Sequence, residues 1–335
     1  MSMPATDLGL CALGAERFAV DLAGLDGIER TDQLQLSPAA DGASGWLLGA
    51  SEDLTVWSLA RLLGRPEANA ARGDGAVLVV RESAGGGRFG LLVDRVEPLE
   101  SPWASHPLPS PFVSARVTGI CAVVRNEDRL LLQLDPEALR PDRPAGAESS
   151  SSGVGGQLAC PRAEASSAPT KNLTPIDAAP PGAGRALIAD LLARSADGRP
   201  VSIALAAAQV LEVVGSRSIV PVPGAPDYLP GLVLWRNRPL PVLDLARRVA
   251  DRGRLSVSVS PASRFVVASA GAEEVAIPVG RDVRFERLPL PAPPLRLPPE
   301  LIVGEVLGGY DLAGSLLLVF DLVRSLSVSV VASET

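Results

Sequence analysis

Histidine occurs once in these 335 residues, as His106, and lysine once, as Lys171. A kinase that carries phosphate on histidine needs that residue on a helix, whereas His106 lies in Pro102-Trp-Ala-Ser-His-Pro-Leu-Pro109 and reads as part of a proline-rich loop. A receiver domain needs a lysine beside clustered carboxylates at strand ends, and Lys171 stands in a low-complexity stretch instead. Cys11, Cys121 and Cys160 are far apart and odd in number, which gives neither metal-ligand spacing nor a disulfide framework. Gly85-Gly86-Gly87 lacks the following Lys and Ser/Thr of a phosphate-binding loop and reads as a hairpin turn. No enzymatic activity, metal or other cofactor is therefore expected. Net charge is −7, and the basic residues are scattered apart from Arg247, Arg248, Arg252 and Arg254, which read as a solvated helix face or loop. Phosphate backbones demand concentrated Lys and Arg, so nucleic acid is not an expected partner. No apolar run reaches about 18 residues, so no membrane insertion is expected. The opening MSMPATDLGLCALGAERF has no basic region ahead of an apolar run, so no secretory leader is expected, and the expected compartment is a reducing cytoplasm.

Aromatic residues make up only 4% of a chain that is 47% hydrophobic. Its cores must then be built from Val, Leu, Ile and Ala, and the branched residues among these favour pleated sheet. With 32 glycines and 31 prolines for turns, the composition suits many short strands. The chain is long enough for two cores. Ala76–Val80, Arg88–Val96 and Phe265–Ala268 read as strands, and short helices are expected at Leu59–Leu63 and Leu245–Val249. Residues 141–184 are dominated by Ser, Ala, Gly and Pro and read as a flexible linker, with Asn172–Ile176 its one apolar island. The proline-rich run Leu288–Pro299 reads as an extended loop that cannot lie in a central strand.

Three blocks recur in order at an offset of 185 or 186 residues. Phe18–Ile28 matches Ile203–Val213, Gly45–Leu59 matches Gly231–Leu245, and Leu130–Asp135 matches Leu316–Asp321. A tandem repeat follows, with residues 1–140 and 185–335 as its two halves.

The second half runs Val210-Leu-Glu-Val213, Pro221-Val-Pro-Gly-Ala-Pro-Asp-Tyr-Leu-Pro-Gly231 and Leu232-Val-Leu-Trp-Arg-Asn-Arg-Pro-Leu-Pro-Val-Leu-Asp-Leu245. The first carries Gly90-Leu-Leu-Val-Asp-Arg-Val96, Val117-Thr-Gly-Ile120 and Leu130-Leu-Leu-Gln-Leu-Asp135. Together these resemble the CheW family over almost the whole chain outside the linker. The resemblance implies a mainly β protein of two CheW-like modules, each made of two SH3-like five-stranded barrels. It also implies a non-catalytic scaffold that couples chemoreceptor cytoplasmic tips to the regulatory domain of a CheA-type histidine kinase, with other CheW-like proteins as further partners, at membrane-associated or polar receptor arrays. The alternative is a diverged localisation adaptor that binds another protein through the linker or the proline-rich loop.

Leu232, Leu234, Arg236, Arg238, Leu240, Val242 and Asp244 in the second half, and Val93, Asp94 and Val96 in the first, are the candidate partner-binding residues. Each half keeps a different part of the family pattern. Ala50 stands at the place of Arg236, Ser58 at that of Asp244, Gly280 at that of Asp94, and Asn237 follows Arg236 where glycine is usual. Arg236 and Arg238 read either as ordinary surface charge or as partner-facing forks of donors. Asp244 and Asp321, at strand ends, read as caps of the following turns rather than as paired catalytic carboxylates.

Overall fold

The computed structural model describes residues 8–31, 34–35, 45–48, 53–66, 75–82, 87–99, 103–115, 117–126, 129–140, 182–250, 255–257, 262–290, 306–312 and 314–326. The chain divides into two compact units, Met1–Leu108 with Val117–Ser166, and Pro109–Arg116 with Ser167–Thr335.

In the first stretch of chain the elements are β1 (Leu8–Leu13), β2 (Glu16–Asp21), β3 (Leu25–Arg30), β4 (Leu34–Gln35), β5 (Gly45–Leu48), β6 (Asp53–Ser58), α1 (Leu59–Leu62), β7 (Ala76–Arg81), β8 (Arg88–Val93), β9 (Arg95–Pro98), β10 (Ala104–Pro107), α2 (Ser110–Ser114), β11 (Ile120–Asn126) and β12 (Arg129–Leu134). Beyond residue 181 come β13 (Gly182–Arg194), β14 (Pro200–Ala206), β15 (Val210–Gly215), β16 (Val220–Pro221), β17 (Gly231–Trp235), β18 (Arg238–Val242), α3 (Leu245–Ala250), β19 (Ser256–Val257), β20 (Arg264–Ala270), β21 (Glu273–Val279), β22 (Val283–Leu290), β23 (Val306–Leu312), β24 (Ser315–Phe320) and α4 (Leu322–Leu326). The protein is mainly β, with short helices, as the composition implies.

Each unit holds two sheets. In the first they run β10-β11-β12-β2-β1-β9 and β3-β7-β8-β6-β5-β4; in the second, β19-β13-β14-β24-β23, with β22 also on β13, and β15-β20-β21-β18-β17-β16. Among the described residues every sheet thus has six strands, where the resemblance implies five. In three of the four sheets a two-residue strand, β4, β16 or β19, makes up the number.

The internal repeat is visible in register. Each sheet has one parallel pair, and the pairs match. Phe18 lies opposite Leu132 in the first unit and Ile203 opposite Leu318 in the second. Val56 lies opposite Gly90, and Val242 opposite Ala276. All three repeated blocks therefore fall on equivalent strands, which makes Gly280 the structural counterpart of Asp94.

The cores are aliphatic, as the low aromatic content requires. Val56, Val77 and Leu92 pack together in the first unit. In the second, Ala186, Ile188, Ala204, Leu288, Leu317 and Val319 fill one core, and Val233, Trp235, Leu240, Val242, Phe265, Val267 and Ala276 fill the other.

Three expectations are modified. His106 belongs to strand β10, paired with Val123, and not to a loop, because Pro107 ends the strand without interrupting it. The run Arg88–Val96 is two strands, since the chain passes from one sheet to the other at Asp94. The proline-rich run begins inside β22, where Pro289 pairs with Ala183 on a strand at the margin of its sheet, a place that tolerates a missing N–H. Residues 291–299 lie outside the described residues, and so does the expected linker up to residue 181; its last residues, 182–184, open β13.

Candidate functional site

β17 and β18 form a two-residue hairpin, with Trp235 paired to Arg238. Arg236 and Asn237 take φ of 46° and 63°, as a type I′ turn requires. Asparagine tolerates the left-handed region, which explains why it can stand where glycine is usual. The turn projects both arginines outward. Arg236 and Arg238 side chains remain 66% and 54% exposed, while the neighbouring Trp235 is buried.

Two glutamates set this tip. Glu212 on β15 accepts a hydrogen bond from Trp235 Nε1 at 2.9 Å and pairs with Arg236 at 2.9 Å. Glu274 on β21 pairs with Arg238 at 2.5 Å. Because β15 and β17 lie four steps apart along the sheet, the Glu212–Trp235 bond means that the sheet curls round to bring its two ends together. The guanidinium groups of Arg236 and Arg238 lie 4.7 and 5.3 Å from the Trp235 ring centre. Cation–π attraction thus holds both forks beside one indole. Leu211 on β15 and Ile219, just before β16, are exposed.

The first unit lacks this ensemble. By register Gly27 stands at Glu212 and Arg88 at Glu274. By the repeat offset, Gly49, Ala50 and Glu52 stand at Trp235, Arg236 and Arg238. Ala50 itself lies outside the described residues. In place of the basic tip, Asp26 pairs with Arg81 at 2.5 Å and Arg88 at 3.0 Å.

The other candidates play internal parts. Val93, Leu232, Leu240 and Val242 are buried core side chains, and Leu234 and Val96 are partly buried. Asp94 Oδ2 accepts the Gly14 N–H at 2.5 Å, and Asp94 N donates to Ala12 O at 3.1 Å, so this aspartate braces the β1–β2 turn against the crossover. Asp244 Oδ1 accepts the Arg247 N–H at 3.0 Å and caps α3. Burial raises its pKa, and the Arg247 N–H and guanidinium partly oppose that rise. Asp321 caps α4 through Val323 and Arg324 N–H. Ser58 caps α1 by accepting from Arg61 N at 3.3 Å, so Ser58 and Asp244 perform the same task.

Arg248 differs from the solvated face expected of its cluster: it is buried, with its guanidinium 4.2 Å from the Tyr228 ring centre. Burial pushes the Cys11 thiol up to about 12, so it is protonated at neutral pH. Burial, and then Arg125, lowers the His106 pKa. Among the described residues no group of three or more His, Cys, Asp or Glu could hold a metal ion, and no helix is long and apolar enough to cross a membrane.

Sequence reasoning singled out Arg236 and Arg238 but missed Trp235, Glu212 and Glu274. The tryptophan immediately before Arg236, at the end of an apolar strand, was the available signal for Trp235. The glutamates become partners only through strand pairing.

Comparison with known proteins agrees with this double architecture. The family model for the CheW-like domain matches residues 7–142 and again 191–328. The chain belongs to the CheW-like domain family and carries that domain twice. In class it is a tandem chemotaxis scaffold or coupling adaptor. Among solved structures it is similar to the scaffolding protein TtCheW from Thermoanaerobacter tengcongensis, with 16% identity, 41% of this chain and 92% of that chain covered, and a TM-score of 0.33. No curated protein matches the chain.

Proposed function

We propose that this protein is a non-enzymatic scaffold of a chemosensory array in which the second module makes the coupling contact. In this reading residues 1–140 and 185–335 are the modules, and 141–184 joins them. The Trp235–Arg238 tip docks the regulatory domain of a CheA-type histidine kinase or the cytoplasmic tip of a chemoreceptor. The protein works in the cytoplasm, beside membrane-associated receptors, and other CheW-like proteins are further partners of the array.

The carrying observation is the asymmetry of the repeat. Two exposed guanidinium groups, fixed on a buried indole by Glu212 and Glu274, occur in the second module, and their counterparts in the first are Ala50 and Glu52. Arginines that are already oriented lose less freedom on binding than free ones, and they suit carboxylate-bearing partners. The first module then extends or regulates the lattice. The test is titration of the full chain and its Arg236→Glu/Arg238→Glu variant against the kinase regulatory domain and receptor tip of the same organism. Loss of binding in the variant supports the proposal. Binding that survives the double reversal overturns it for this surface.

The loss of pattern residues from the first module favours a second reading, a localisation adaptor for a different protein. Under that reading neither array component binds, and deleting residues 288–299 or the linker abolishes localisation.

A further inference from the structure

Strand β22 pairs with β13 along all eight of its residues, from Val283 opposite Ala189 to Leu290 opposite Gly182. Among the described residues no strand pairs with its other edge. An open edge offers a row of backbone donors and acceptors to any extended chain.

The side chains beside this edge have a definite chemistry. Arg185 and Arg287 lie directly opposite each other across the ladder. Like charges in that relation repel, and natural pairs usually avoid it. Neither arginine has a carboxylate partner among the described residues, whereas Arg284, on the alternate face of β22, is paired with Glu286. Two register steps along from the Arg185–Arg287 pair, and so on the same face, Phe285 lies opposite Leu187. Leu187 is fully buried, but Phe285 is 49% exposed, with the Arg185 guanidinium 5.6 Å from its ring centre. The core therefore reaches the surface at this aromatic ring, next to two positive charges that have no carboxylate partner among the described residues. The equivalent strand of the first module, β9, is four residues long, and its Arg95 is paired with Glu97 at 2.8 Å. The open basic edge belongs to the second module, on a different sheet from the Trp235 tip.

We propose that β22 is a docking edge for an extended, acidic peptide segment of a partner protein. The peptide adds a strand to the open edge, as in other strand-addition complexes. Carboxylates on alternate residues recur at about 7 Å along a strand, so they reach the Arg185–Arg287 pair. An apolar side chain between them covers Phe285. The acidic peptide relieves the repulsion between the two arginines, which a neutral or basic peptide cannot do. The rival account is that the arginines merely guard the edge against aggregation, and the two accounts predict different binding.

The test uses the full chain and two labelled synthetic peptides, one alternating Glu and Val and the other alternating Lys and Val, with affinity read by fluorescence anisotropy. The acidic peptide binds and the basic one does not. Arg185→Glu/Arg287→Glu weakens the acidic peptide by about tenfold or more and reverses the preference. Phe285→Ala weakens it without reversing the preference. Affinity falls as salt rises, and hydrogen exchange slows at residues 283–290. Equal binding of both peptides, or an acidic-peptide affinity untouched by the double reversal, overturns the proposal and leaves edge protection. Equal binding by a single-stranded oligonucleotide of the same charge overturns it in favour of a general polyanion site. Self-association that the double reversal abolishes overturns it in favour of a second copy.

Discussion

Asp190 occupies the space that a side chain at Gly280 would need: a Cβ on Gly280 would lie 2.7 Å from Asp190 Oδ2 and 3.0 Å from Asp190 Cβ. The backbone bond there, Gly280 N to Asp190 O at 2.9 Å, is the counterpart of Asp94 N to Ala12 O in the first module. Each module thus places one carboxylate at this crossover, but from opposite strands. Ala12 faces Asp94 in the first module, and Asp190 faces Gly280 in the second. Asp190 Oδ1 also accepts the Leu192 N–H at 3.0 Å, where β13 bulges and Leu192 takes a φ of 59°. The absence of aspartate from the second copy of the pattern is an exchange of position, not a loss.

That exchange makes a paired prediction. Gly280→Asp alone crowds Asp190 and adds a like charge, and it destabilises the protein by about 1–3 kcal/mol. Combined with Asp190→Ala, it recreates the first module's arrangement and recovers most of the loss. Thermal denaturation of the two variants checks this. A single variant as stable as wild type, or a double variant no better than the single, contradicts the account of the crossover.

Glu212 links Trp235 and Arg236, so its removal should be felt in two ways. Glu212→Ala leaves a buried indole N–H without its acceptor and frees Arg236, at about 1–2 kcal/mol of stability. Glu212→Gln keeps an acceptor for the indole and loses only the ion pair, whose exposed arginine makes it worth well under about 1 kcal/mol. Chemical denaturation followed by tryptophan fluorescence separates the two.

Asp244 gives a pH prediction. Burial raises its folded-state pKa above the unfolded value, so the folded protein holds the proton more tightly. The associated stability is present below the unfolded pKa and is lost as pH rises through the folded pKa. Asp244→Asn keeps a good cap without the charge, so it should remove this acid-side gain while matching or exceeding wild-type stability at neutral pH. Asp244→Ala should lie about 1 kcal/mol below Asp244→Asn at every pH, because it loses the cap as well as the charge. Denaturant midpoints across the acidic range distinguish them.

The three repeated blocks were legible because they lie in the strands that form each module's parallel pairs, where Phe18, Val56 and Leu132 face partners equivalent to those of Ile203, Val242 and Leu318. The short helices after Ser58 and Asp244 were equally plain, since each follows a capping side chain at a strand end. Contacts between distant strands were not legible. Asp190 meets Gly280 across 90 residues, and Glu212 reaches Trp235 only when the sheet curls, so neither relation leaves a local pattern. His106 was misread because prolines on both sides suggest a loop, yet Pro107 merely closes a short strand. Val93 and Asp94 were read as partner-binding residues because they sit in a family-like run; the structure places Val93 in the core and Asp94, partly exposed, at the crossover between sheets.

The most direct test is calorimetric titration of the full chain with the kinase regulatory domain and, separately, with the receptor tip from the same organism, alongside Arg236→Glu/Arg238→Glu and Asp244→Asn. The account predicts saturable binding to at least one of them, lost in the double arginine variant and kept in Asp244→Asn. No binding to either component by the wild-type protein contradicts it.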